Sequence, residues 1–278
     1  MFTTLNKPLL ALALAGLAMN AQAHRPWMVP SSSMVDAKDP WVTVDAAISE
    51  DLFDIDHQPL KLDALEITGP DGARVQPANV MTGRLRSVFD VKMDKPGTYK
   101  AAIVSQSVMA SYKLNGEMKR WRGSEEAFTK EIPAEAQEVK ATRMSSRLET
   151  FFSANSTNDA VFKPSGVGLE LVPLTHPNDL RSGEKATWRF LLDGKPAANQ
   201  AFSLVPGGVR YRGVLGEIRQ STDAKGEITF VLPAPGMYFV STSWPAVAAA
   251  PAGQPPAQMA APAPRRVSYT ATVEVLPQ

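Results

Sequence analysis

Short runs of alternating apolar and polar residues cover most of this chain, with Gly, Pro, Asn and Asp between them. A period of two sends successive side chains to opposite faces of an extended backbone, so the pattern predicts half-buried β-strands. WVTVDAAIS (41–49), DALEITGPDG (63–72) with its Pro-Asp-Gly turn, and RLRSVFDVKM (84–93) read this way. DKPGTYKAAIVS (94–105) reads as a turn and then a strand. ASYKL (110–114), Asn115-Gly116 and EMKRW (117–121) form the strongest hairpin signal, because Asn-Gly tolerates the positive φ angles of a tight two-residue turn. Residues 138–154 read as a long strand with a bend at Ser145-Ser146. SEEAFTKE (124–131), with Ser124 as N-cap, is the one plausible short helix.

A second series of strands and turns starts near residue 168. It includes an Asp-Gly-Lys-Pro turn (193–196), two strands around Asp223-Ala224-Lys225-Gly226, another after Pro235-Gly236, and a last strand over 265–277. The expectation is an all-β chain of two β-sandwich domains, immunoglobulin-like or prealbumin-like, over 24–165 and 166–278. Pro96-Gly97-Thr98-Tyr99 suits the entry to a late strand of an immunoglobulin-like sandwich, with Tyr99 anchoring the corner. Residues 246–264 are rich in Ala, Pro and Gly and carry no charge, which predicts a mobile loop before the final strand.

Residues 1–23 have the build of a secretory signal: a short n-region with one lysine, an apolar stretch over 8–19, and Ala21 and Ala23 before a cleavage point. The apolar stretch is shorter than the roughly 20 residues that span a bilayer, and no later segment is long and apolar enough. The expected location is the periplasm, with a mature chain of 24–278 and no transmembrane segment. The absence of cysteine excludes thiolate metal sites, Fe–S clusters and disulfide exchange. Basic and acidic residues nearly balance, 29 against 28, and no basic stripe stands out along the chain. That disfavours nucleic acid and an electrostatically held membrane surface as partners.

Cleavage after Ala23 would make His24 the first residue. A terminal histidine offers an α-amine and an imidazole, with ordinary pKa values of about 8 and about 6.5, and both can ligate a metal near neutral pH. Pro26 lacks an amide N–H and no histidine stands third, so the self-contained chelate through backbone amides is excluded. Any site there must recruit distant side chains. His57 is the natural second ligand, at the end of Glu50-Asp51-Leu52-Phe53-Asp54-Ile55-Asp56-His57. Asp54 and Asp56 would share one face of an extended segment, and a loop would let a carboxylate and His57 converge. Imidazole with carboxylate suits nickel, cobalt, zinc, copper or iron. The alternative for this run is a solvated acidic loop. His176, in Thr175-His176-Pro177-Asn178-Asp179, is either a third ligand or a turn residue that braces the domain junction. The scattered methionines read mostly as core filler, and Trp27, Trp41 and Trp121 as packing residues. Lys119, Arg120 and Arg122 around Trp121 are either an anion-binding feature or an ordinary exposed hairpin face.

The stretch DGKPAANQAFSLV…TDAKGEITFVLPAPGMYFV resembles a Cna-B-like or prealbumin-like sandwich. HRPWMVPSS, DPWVTVDAAISEDLFDIDH, FDVKMDKPGTYKAAI, KRWRG and GLELVPLTHPNDLRSGE together resemble a bacterial periplasmic domain-of-unknown-function family. Its members are often described as nickel- or cobalt-uptake components. The resemblance implies an accessory protein for uptake of nickel or cobalt, with copper or iron as further candidates. Its partner would be an inner-membrane metal transporter or an outer-membrane receptor. The competing expectation is a metal-free binding or scaffold module for such a membrane protein. No Gly-x-Ser-x-Gly, His-Glu-x-x-His or phosphate loop occurs, so a non-enzymatic role is expected. A redox copper enzyme built on His24 and a second histidine is a weaker third reading.

Overall fold

A computed structural model describes residues 24–245 and 264–278. The expected signal peptide and all but the last residue of the expected 246–264 loop lie outside the described residues. The fold is all-β and sandwich-like, with 55% of the described residues in strands and 7% in helices.

A large central sheet runs through the molecule. Its spine is a pair of 18-residue antiparallel strands, Gly97–Leu114 and Gln137–Ala154. The second of these also pairs, in parallel, with the final strand Arg265–Val275. That strand leads on through Gly236–Trp244 and Ala201–Pro206 to Ile218–Ser221 at the edge. A five-stranded sheet packs on the first half, ordered Arg25–Pro30, Trp41–Ser49, Ser87–Lys92, Ala78–Thr82, with Gln58–Pro59 alongside Trp41–Ser49. A four-stranded sheet, centred on Lys185–Leu192, packs on the second half.

Alternation explains the three cores. Val42, Val44, Phe89 and Val91 meet Ile67, Tyr99, Ala101 and Phe152 in the first. Trp188, Phe190 and Phe230 meet Phe202, Leu204, Tyr238 and Tyr269 in the second. The third core joins the halves: Trp27, Ala47 and Leu52 pack on Val205 and Phe239. Those last two sit beside Leu204 and Tyr238 in their strands, so they point out of the opposite sheet face.

The local signals account for much of this. Asn115 (φ 52°) and Gly116 (φ 83°) make the expected tight turn, since both backbones sit in the left-handed region that glycine and asparagine tolerate. The helix is Glu125–Glu131, and Ser124 Oγ accepts from the Ala127 amide at 3.1 Å. Tyr99 anchors its corner: its hydroxyl donates to the Lys95 carbonyl and accepts from the Lys95 amide, each at 2.9 Å. Tyr238, in Pro235-Gly236-Met237-Tyr238, repeats the device on the Ala234 carbonyl. Two expectations differ in detail. The strand expected after the turn at 94–96 and the strand at 110–114 are one, Gly97–Leu114, because its partner runs alongside for nearly the whole length. The irregularity in that partner lies between Gln137 and Lys140, where Glu138 takes φ 52°, and Ser145-Ser146 stays in register.

Candidate metal centre

Strand pairing brings His24 and Glu50 together. Arg25 opposes Ser49 in the antiparallel pair, so the next residue outward on one side is His24 and on the other Glu50. On its other edge, Trp41–Ser49 pairs with Gln58–Pro59, Ile48 opposing Gln58, which sets His57 at the same end. Side chains from the start of the first strand and from the two ends of the loop 50–57 therefore meet at one end of the sheet. Their candidate ligand atoms all lie within 4.8 Å of one another. The imidazole rings of His24 and His57 have centroids 3.9 Å apart and an interplanar angle of 31°. His24 Nε2 lies 3.4 Å from Glu50 Oε1. His24 and Glu50 are exposed and His57 is half-buried.

The loop 50–57 is tied at its base. Asp56 accepts from the Glu50 amide (3.1 Å) and from the Asp51 amide (2.9 Å), one bond to each carboxylate oxygen. Asp51 O accepts from the Asp54 amide at 3.0 Å, and Phe53 takes φ 69°, so the segment turns and does not extend. Leu52 is driven into the third core, and Phe53 meets Trp27 edge-on at 5.8 Å. Trp27 is itself held by its indole N–H on Ser49 Oγ at 2.7 Å. A Cβ on Gly207 would come within 2.9 Å of the Phe53 ring, so the second half approaches closely beneath the site. Arg25 lies within electrostatic reach of Asp51 and Glu217; burial lowers its pKa, and the two carboxylates work against that shift.

Of the residues expected to ligate, His24 and His57 are brought together. Asp54 and Asp56 are not part of the cluster; Glu50 supplies its carboxylate. The extended geometry that would align Asp54 with Asp56 is broken by the turn at Phe53, and both oxygens of Asp56 already accept amide hydrogens. Glu50 could have been found from sequence only by aligning HRPWMVP against VTVDAAIS in register.

His176 stands apart. It caps a short 3₁₀ turn, Pro177–Asp179, and its Nδ1 accepts from the Asn178 amide at 3.0 Å. The remaining nitrogen, Nε2, lies 2.9 Å from Thr98 Oγ1 and 3.3 Å from the Asn158 carbonyl. Both ring nitrogens are thus engaged, and Phe162 packs edge-on at 5.4 Å. Burial pulls its pKa below the ordinary imidazole value, against the pull of Asp179. Asn178 continues this polar seam, donating to the Ser33 carbonyl and to Ser153 Oγ.

The methionine expectation also needs correction. Met28 and Met93 are core residues, but Met81, Met109 and Met118 are 63%, 43% and 60% exposed. Trp27 alone of the three named tryptophans is buried; Trp41 is exposed, and Trp121 packs on Phe128.

The sequence profile of a family described as a domain of unknown function, DUF4198, matches residues 21–246. The chain belongs to this family. Both candidate histidines and Glu50 fall within the matched region, which begins just before His24. No curated protein matches. Among solved structures, this family member is similar to an Escherichia coli alpha-2-macroglobulin activated by porcine elastase, at 14% identity and a TM-score of 0.23 over 92% of this chain. A Salmonella alpha-2-macroglobulin reacted with methylamine matches at 12% identity and a TM-score of 0.22, again over 92% of this chain. The D0-D1 domain of intimin matches at 12% identity and a TM-score of 0.21, over 90% of this chain and 97% of its own. The chain spans 20% and 15% of the length of the two macroglobulins. Among the described residues, no helix is long and apolar enough to cross a membrane.

Proposed function

We propose that this chain is a periplasmic accessory protein of transition-metal uptake that binds nickel, cobalt or copper through His24 and His57, with Glu50 as the neighbouring carboxylate. The observation that carries the reading is the convergence of these three side chains at one strand end, with ligand atoms within 4.8 Å. Nitrogens and oxygens sharing a first-row metal lie about 2.0–2.2 Å from it, hence about 3–4 Å from each other. His24 and Glu50 are exposed, so their side chains have room to change rotamer toward that spacing. Two imidazoles and a carboxylate suit borderline ions and disfavour calcium, which takes oxygen ligands. Cleavage after Ala23 would add the α-amine of His24 as a fourth donor on the same residue. The role is non-enzymatic: the ion is cargo, passed to or from a membrane transporter or receptor.

The test is metal analysis of protein purified with its native terminus and no N-terminal tag, after dialysis against nickel, cobalt or copper at micromolar concentration. One ion per chain is expected, and none in a His24→Ala, His57→Ala double variant. A metal-free wild-type protein would overturn the reading in favour of a metal-free scaffold module.

A further inference from the structure

Beyond the main sandwich, the distal halves of the two long strands and the hairpin strand Glu117–Gly123 form a three-stranded arm. The register sorts its side chains by face. Ala110 opposes Trp121 and Ala141, and this face is covered by the helix Glu125–Glu131: Trp121 packs on Phe128 at 5.5 Å and its indole donates to Glu131. Met109 opposes Arg122, Ser111 opposes Arg120 and Lys140, and Lys113 opposes Met118. These side chains share the other face, and no helix or sheet covers it among the described residues.

The two faces treat their cations differently. On the covered face and the helix, Lys119 pairs with Glu117, Lys130 with Glu126 and Arg143 with Glu125, each at 2.6 Å. On the bare face, Lys113 pairs with Glu138 at 3.6 Å. Arg120, Arg122 and Lys140 are exposed and have no ion pair among the described residues. The exposed thioethers of Met109 and Met118 lie beside these cations, Met109 opposite Arg122 and Met118 two residues along the strand from Arg120. No continuous basic run marks the patch in the sequence, because its charges come from three strands.

We propose that this bare face of the arm docks on an anionic phospholipid surface. Its cations sit on long flexible stems, and the strand register puts no aromatic ring among them that would anchor a shaped partner. Such a face matches negative charge spread over a plane, and the thioethers add apolar contact at the headgroup boundary. Binding is weak, reversible and salt-sensitive, since exposed charges are screened over about 10 Å at 0.1 M salt.

The experiment is co-sedimentation of the full exported chain with vesicles of phosphatidylglycerol and phosphatidylcholine (30:70), against pure phosphatidylcholine, without added metal. The protein should pellet with the anionic vesicles at 50 mM salt and be released at 500 mM. Inorganic phosphate at equal ionic strength should release it no better than chloride. Arg120→Gln, Arg122→Gln, Lys140→Gln together should weaken binding about 100-fold, near fivefold per cation. Lys119→Gln, Lys130→Gln on the paired set should leave it unchanged. Were the triple variant to misfold by circular dichroism, the salt release and the paired-set control would carry the test on folded protein. No binding to anionic vesicles, equal binding to neutral ones, or an equal loss in both variants would overturn the proposal. Binding to an acidic peptide such as polyglutamate but not to the vesicles would overturn it in favour of a protein partner.

Discussion

Asp56 is the residue on which the candidate centre depends without belonging to it. It closes the loop by accepting two amides, and that closure presents His57 to His24 and Glu50. Replacing it with alanine leaves every ligand in place but frees the loop. Nickel affinity should fall about tenfold by calorimetry, the usual scale for residues that orient ligands. Acidification should also weaken binding, because imidazole must be deprotonated to ligate. His176 makes a separate prediction, about stability. Its folded-state pKa is depressed by burial, so above about pH 6.5 it is neutral in both states and its contribution is complete. As pH falls below that value, the unfolded chain takes the proton first and stability is lost. His176→Gln should flatten the melting temperature between pH 7 and pH 5, at some cost in stability at pH 7; an unchanged slope would contradict this. That His57 is the natural neighbour for His24 was legible in the sequence; that Glu50 is the carboxylate beside them was not. Glu50 and Asp56 are chemically alike, and only the strand register and the turn at Phe53 assign one to the cluster and the other to the backbone.

The strands and their corners were the most legible features, because their signals are local. Asn115-Gly116, the Ser124 cap and the Tyr99 corner each need only a few neighbouring residues to act. Tyr99→Phe removes a hydroxyl that both donates to and accepts from Lys95. It should cost about 1–2 kcal/mol by urea unfolding, and Tyr238→Phe somewhat less, since that hydroxyl has one bond to the Ala234 carbonyl. Trp27→Ala should cost more, about 3–5 kcal/mol, and should lower metal affinity as well, because the Phe53 turn rests on that ring. The merger of 97–114 into one strand was not legible, since Ser105-Gln106-Ser107 breaks the local alternation. Pairing along Gln137–Ala154 overrides that weak break, and it also assembles the basic face of the arm.

Across the whole molecule, the central sheet and the third core tie the two halves. Gln137–Ala154 pairs with Arg265–Val275, Trp27 and Leu52 pack on Val205 and Phe239, and the Ser33 amide and hydroxyl both donate to Glu274. Calorimetry should therefore show one cooperative unfolding transition, and two well-separated transitions would contradict that coupling. The same seam supports the candidate centre from below, so metal binding should raise the melting temperature of the entire chain. At free metal 100 times the dissociation constant the gain is about 2.7 kcal/mol. The most direct measurement of the metal-binding account is a calorimetric nickel titration of protein whose first residue is His24, beside the same protein with His57→Ala and with one alanine added before His24. The account predicts one site per chain in the first, at least tenfold weaker binding with the extension, and loss of the site in His57→Ala. Equal affinity in all three would contradict it.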